Sequence, residues 1–159
     1  MRAIVFDRYG PPEVLALKNV DKPIVKDSEV LVRIVVGGAN PADWRMMRGH
    51  PYLVRIPRGL RRPPGVKILG SDMAGQVESV GKDVTQFHPG DEVYAEVDSG
   101  GFAEYVSVHE DLLSLKPTNL TFQQAAAVPM TGLTALQALR DPGRIEAGQR
   151  VLINGASGG

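Results

Sequence analysis

Two stretches of this sequence hold residue types that could do chemistry. The run Arg150-Val151-Leu152-Ile153-Asn154 reads as a strand and passes directly into Gly155-Ala156-Ser157-Gly158-Gly159. A strand entering a glycine-rich turn is how a dinucleotide-binding βαβ unit opens: glycines let the backbone approach a pyrophosphate, and the next helix offers N–H groups and a positive dipole end. Alone, this turn is a weak motif, and a glycine-rich tail is the alternative reading. The second stretch is basic. It carries Arg45, Arg48, Arg55, Arg58, Arg61, Arg62 and Lys67, with no Asp or Glu between the first and the last. It suits recognition of an acidic substrate or of cofactor phosphates, with a solvated loop as the alternative.

Other chemistries fall away on composition. With no cysteine in 159 residues, disulfides, thiolate metal sites and cysteine nucleophiles are excluded. His50, His88 and His109 lack the spacing of a ligand set and read as turn or surface residues. Eighteen Lys and Arg balance eighteen Asp and Glu, which argues against nucleic acid as the main partner, since phosphate contacts need a clustered cationic excess. The amino-terminal apolar run breaks at Asp7, and no stretch reaches the ~20 apolar residues of a membrane span. The default expectation is a cytoplasmic protein without a membrane partner.

These residues must be carried by short strands and a few helices. Ala3 to Phe6, Val14 to Val20 and Val30 to Val36 read as strands, the last stopping at Gly37-Gly38. Asn40 is a helix cap ahead of Pro41 at the first helical position, and Asp43 is a first-turn acid. From Gly75 to Val80, Glu92 to Val97 and Phe102 to Val108 the short-strand pattern resumes between glycine-rich turns, as in a small barrel or sandwich. Thr121-Phe122-Gln123-Gln124 is a capping box opening an alanine-rich helix that Pro129 ends or kinks, and Thr131 to Arg140 reads as a second helix.

The order Gly70-Ser71-Asp72-Met73-Ala74-Gly75, Phe87-His88-Pro89-Gly90-Asp91-Glu92-Val93, Gly101-Phe102-Ala103-Glu104-Tyr105-Val106, Ala125-Ala126-Ala127-Val128-Pro129 and Gly148 to Gly159 resembles the medium-chain dehydrogenase/reductase superfamily, in particular its zinc-free quinone oxidoreductase branch. The resemblance covers essentially the whole chain. It implies a mainly β fold with some α: a GroES-like, partly open β-barrel over 1–118, then over 119–159 the connecting helices and the first strand and turn of an incomplete Rossmann domain. On this reading the chain is an amino-terminal part of a longer enzyme, inactive alone, and a homodimer at full length.

The resemblance further implies NADPH as cofactor and no metal, because Asn40 and Ser71 stand where zinc-dependent members hold a Cys and a His. It assigns Asn40 and Asp43 to the nicotinamide and substrate cleft, Tyr52 to its wall or to proton donation, and Met130 and Thr134 to the cofactor, beside Gly155, Ala156, Ser157, Gly158 and Gly159. Arg45 stands where the family often has Tyr; it would polarise a carbonyl or pair with Asp43. Residue-level alternatives remain: a cap for Asn40, packing for Tyr52, helix core for Met130, an ordinary helical Thr134. The expected reaction is hydride transfer to a small-molecule quinone or α,β-unsaturated carbonyl. A non-catalytic GroES-like module and an enoyl-thioester reductase are the alternatives.

Overall fold

The computed structural model describes residues 1–65 and 67–155, so Ala156, Ser157, Gly158 and Gly159 lie outside the described residues. In chain order the elements are β1 (Arg2–Phe6), β2 (Ala16–Asn19), β3 (Glu29–Gly38), α1 (Pro41–Arg48), β4 (Lys67–Ile68), β5 (Asp72–Val80), β6 (Glu92–Glu96), β7 (Tyr105–His109), β8 (Ser114–Leu115), α2 (Phe122–Ala126) and α3 (Pro129–Arg140). All pairings are antiparallel, in a three-stranded sheet ordered β2-β1-β4 and a five-stranded sheet ordered β7-β3-β5-β6-β8. The fold is mainly β with some helix, as the resemblance implies, and its two sheets are open rather than closed into a barrel.

Alternation on β3, β5, β6 and β7 drives one continuous core. Val30, Val32, Met73, Val77, Val93, Val106 and Val108 are buried together with Phe87 and Leu113, each such side chain stabilising the fold by roughly 1.5–3 kcal/mol. A smaller cluster of Phe6, Met47 and Leu69 holds α1 against the three-stranded sheet. A third, Ala74 with Ala125 and Ala126, seats α2 on β3 and β5.

Several boundaries differ from the sequence reading. Within Val14 to Val20, a 3-10 turn covers Pro12–Val14 and only Ala16–Asn19 is strand, because the Val14 N–H bonds back to the Pro11 carbonyl at 3.0 Å. β3 ends at Gly37-Gly38 but includes them, these glycines pairing with Met73 and Asp72. A Cβ on Gly38 would lie 2.4 Å from the Ala126 carbonyl oxygen, so the glycine makes room for α2 rather than breaking the strand. Phe102 precedes β7 instead of opening it, and its carbonyl accepts the Ile4 N–H at 2.9 Å, joining the two sheets. The expected strand Arg150 to Asn154 is absent: these residues are exposed, and no ladder partner exists for them among the described residues. A strand needs a neighbour for its N–H and C=O groups. Pro129 is the first residue of α3, which suits a residue without an N–H.

Candidate functional site

The site is built where α1, the start of β5 and the start of α3 converge. Asn40 is extended, at φ −120° and ψ 155°, and Pro41 enters the helix behind it. Asp43, one turn in, is buried. Its Oδ2 accepts the Asn40 backbone N–H at 2.8 Å, and its Oδ1 accepts the Gly70 N–H at 3.2 Å and the Ser71 hydroxyl at 3.4 Å. Gly70 turns at φ +95°, and a Cβ there would meet the Phe102 nitrogen at 2.5 Å, so only glycine presents that N–H to the carboxylate. Asp43 is thus both a first-turn acid on the helix dipole and the tie between α1 and the chain entering β5.

Asp72 makes the second tie. It is 1% exposed, and it accepts the Asn40 Nδ2–H at 3.0 Å and the Met130 backbone N–H at 3.1 Å. Burial pushes its carboxyl above the usual aspartate range, while the bonds from Asn40 and Met130 pull the other way. Across the β5–β6 ladder it faces Glu96, whose carboxyl is also pushed up, first by burial and then by the charges of Asp72 and Asp98. Sequence reasoning assigned Asp72 no role. The available signal was a lone carboxylate at the start of the apolar run Met73-Ala74-Gly75, since a buried carboxylate requires donors from elsewhere in the fold.

Asn40, Asp43 and Met130 are therefore brought together, with Asp72 between them. Thr134 is one turn beyond Met130 on α3 and exposed. Arg45 is exposed and forms no ion pair with Asp43, whose oxygens are taken by Asn40, Gly70 and Ser71. Tyr52 is 69% exposed; its ring lies 4.7 Å from the Arg55 guanidinium and 5.7 Å from His50, and no hydrogen bond among the described residues links it to Asn40 or Asp43. Gly155 sits in a turn at φ +77°. Beside Asp43 a cavity of about 420 Å³ opens between α1 and the basic segment, with Phe6, Tyr9, Met46, Leu69 and Ser71 among its lining residues.

Chemically, this arrangement holds one carboxamide, that of Asn40, at the mouth of a helix by two buried carboxylates. It is a poor cradle for a soft divalent metal, because Asn40 directs its N–H donor at Asp72 and the Ser71 hydroxyl is committed to Asp43. For a nucleotide cofactor the described residues offer one flank: a fixed amide at Asn40 and the exposed face of α3 at Thr134. No helix among the described residues is long and apolar enough to cross a membrane.

Comparison with known proteins agrees with this architecture. Residues 26–118 match the alcohol dehydrogenase GroES-like domain. Over 161 residues the chain is 38% identical to a quinone oxidoreductase of Sus scrofa, covering 100% of this chain and 46% of the relative. It is 37% identical over 169 residues to an Arabidopsis thaliana protein named NADPH-dependent alkenal/one oxidoreductase, chloroplastic, covering 99% of this chain and 42% of that one. The solved quinone oxidoreductase of Coxiella burnetii superposes with a TM-score of 0.79 at 33% identity, over 93% of this chain and 46% of that structure. The chain spans about half the length of the curated relatives it matches. By these matches the chain belongs to the alcohol dehydrogenase GroES-like domain family of the medium-chain dehydrogenase/reductase superfamily.

Proposed function

We propose that this chain is the catalytic-domain portion of an NADPH-dependent, zinc-free oxidoreductase that reduces quinones or α,β-unsaturated carbonyls, and that it is inactive without the rest of the nucleotide-binding domain. The observation that carries the reading is the Asn40–Asp72–Met130 connection. One buried carboxylate orients the carboxamide at the cleft and also sets the first turn of α3, the helix that leads toward the glycine-rich turn. On this reading one residue would position both the cleft and the cofactor wall.

When bound, NADPH supplies a hydride, and solvent supplies the proton that completes the two-electron reduction. The protein's part is placement. Asn40, held by Asp72 from its side chain and by Asp43 from its backbone, would be the residue that borders the nicotinamide. Met130 and Thr134 would hold the cofactor from α3, and the Gly155 to Gly159 turn would supply the pyrophosphate site. Electron-poor quinones and enones need no Lewis acid, because the charge developing on oxygen is met by hydrogen-bond donors or water. Arg45 and Tyr52, both exposed, would meet the substrate only from its outer edge. The names of the Sus scrofa and Arabidopsis relatives support the substrate class.

The test is NADPH oxidation with 1,4-naphthoquinone, measured on this chain and on the full reading frame that contains it, beside calorimetric titration of both with NADPH. Binding and turnover in the longer protein alone is the expected result. A longer protein that neither binds NADPH nor reduces the quinone would leave a non-catalytic GroES-like module as the better reading.

A further inference from the structure

The reductase reading leaves most of the basic segment unused. No Asp or Glu occurs from residue 44 to residue 71. Arg58 and Lys67 share the lining of one cavity with Asp43 and Asp98, so charge there is balanced. Arg45, Arg48, Arg61 and Arg62 differ. Each is exposed and off that cavity, and none forms an ion pair among the described residues. Large apolar side chains stand exposed between them: Trp44, Leu53, Ile56 and Leu60, with Leu53 at 74% and Leu60 at 68% exposure. Cations and bulky apolar groups bared together mark an interaction surface rather than an ordinary solvated loop.

Local geometry ties these residues together. On α1, Asp43 and Met47 are buried, so Trp44 and Arg48 take the outer side, and the Arg48 guanidinium lies 5.1 Å from the Trp44 ring. Arg55 donates to the Gly49 and Arg48 carbonyls, and its guanidinium lies over the rings of Tyr9 and Tyr52. It thereby fixes the 3-10 turn Tyr52–Arg55 over the end of α1. Side chains three apart eclipse in such a turn. Tyr52 and Arg55 therefore share the side toward α1, Leu53 and Ile56 share an outer one, and Val54 is half-buried. Just beyond, the Tyr9 hydroxyl donates to the Arg58 carbonyl at 3.0 Å, and Gly59 turns at φ +94° close against the Arg62 carbonyl. Leu60 and Arg61 are the residues between those turn-closing positions.

We infer that this surface attaches the protein to an anionic lipid bilayer: Trp44, Leu53, Ile56 and Leu60 enter the interface, and Arg45, Arg48, Arg61 and Arg62 meet the lipid headgroups. Tryptophan favours the headgroup level, and arginine stems lie along apolar surface while their guanidinium groups reach out to charge. Either signal alone gives marginal attachment; apolar contact and positive charge act together. Charge complementarity selects the occupant, because cations without neighbouring acids favour an anionic surface. The aliphatic groups at Leu53, Ile56 and Leu60 select lipid over a nucleic-acid backbone, which offers them phosphates and sugars. Attachment of this kind needs no spanning helix, and it stands against the expectation of a protein without a membrane partner. It is independent of the reductase reading.

The test is co-sedimentation of this chain and of the full-length protein with phosphatidylcholine vesicles, with and without about 30 mol% phosphatidylserine. Binding to the anionic vesicles is expected to exceed binding to the neutral ones about tenfold or more, and to shrink as salt rises and screens the charges. Trp44 is the sole tryptophan of this chain, so its emission should shift to the blue with anionic vesicles and be quenched by brominated lipid. Each basic residue near an anionic leaflet contributes about fivefold in affinity, so Arg61→Gln/Arg62→Gln should weaken binding about tenfold or more. Leu53→Ser/Ile56→Ser should weaken it comparably, with an unchanged urea midpoint because all four side chains are exposed. In this chain Leu133→Ser/Leu136→Ser, on the exposed side of α3, should bind as wild type does. Equal binding to neutral vesicles, binding to neither, an unshifted Trp44, or binding that survives both the arginine and the Leu53/Ile56 changes overturns the inference. Binding by this chain but not by the full-length protein also overturns it, and assigns the surface to contact with the rest of the protein's own chain.

Discussion

The Asp72 carboxylate and the Met130 backbone N–H meet at 3.1 Å across 58 positions of sequence. This bond ties the first residue of β5 to the first turn of α3, and the other arm of the same carboxylate holds the Asn40 carboxamide. A strand of the five-stranded sheet and the helix α3 are thus registered through a single buried side chain.

Replacing Asp72 by Leu should leave the Met130 N–H and the Asn40 Nδ2–H without their acceptor. A buried donor left unpaired costs about 1–3 kcal/mol, so urea unfolding should show a loss in that range for this chain. A change below about 0.5 kcal/mol would mean that the contact is dispensable.

The raised Asp72 carboxyl also has a sign in pH. Its folded pKa lies above its unfolded value near 3.8, so over that window the native state holds more protons than the unfolded state. The Asp72 contribution to stability is full below the unfolded pKa and is lost as pH rises through the folded one. The stability of wild type relative to Asp72→Asn, which cannot titrate, should therefore fall as pH rises from about 3.8 through the raised folded value. Urea midpoints of the two proteins in parallel would show it, and a wild type that gains on the variant as pH rises would contradict the assignment.

Asp43 should matter more to folding than its place by the cleft suggests. Asp43→Ala removes the acceptor for two backbone N–H groups and for the Ser71 hydroxyl. A loss of roughly 2–4 kcal/mol is expected from the cap and the stranded buried donors together. Thermal unfolding measures it. In the full-length protein, Asn40→Ala should instead act mainly on kcat, lowering it by about tenfold or more if the carboxamide positions the nicotinamide.

Gly38 offers a purely steric test. Its Cβ in Gly38→Ala would sit 2.4 Å from the Ala126 carbonyl oxygen and 2.9 Å from the Asp72 Cβ, so α2 must shift from β3. Overpacking of this kind costs about 1–3 kcal/mol, and it should also lower the NADPH affinity of the full-length protein by displacing α3. A Gly38→Ala variant with an unaltered unfolding midpoint would show that α2 is free to move.

Metal independence is the last expectation. Full-length protein dialysed against a chelator should keep its quinone reduction unchanged, because the Asn40 and Ser71 donors point at Asp72 and Asp43 rather than at a shared centre. Loss of activity restored by zinc would overturn the zinc-free reading.

Features that depend on near neighbours in the chain are legible from residue order. Asn40, Pro41 and Asp43 specify the entry to α1, and Thr121 with Gln124 specifies that of α2, because a cap and its partner lie within one helical turn. The β-branched run at 30–36 specifies a strand, because β-branched residues favour extended backbone locally. Other features wait on distant partners. Whether Gly37-Gly38 ends a strand or admits a helix depends on where Ala126 arrives. Whether residues 150–154 form a strand depends on a neighbour to pair with, which no local propensity supplies. Asp72 reads in sequence as a polar residue in an apolar run; only the fold shows that it joins Asn40 to Met130, and only the fold brings Arg58 and Lys67 to a cavity floored by Asp43 and Ser71. Such contacts couple residues tens of positions apart, where packing rather than propensity selects the partner.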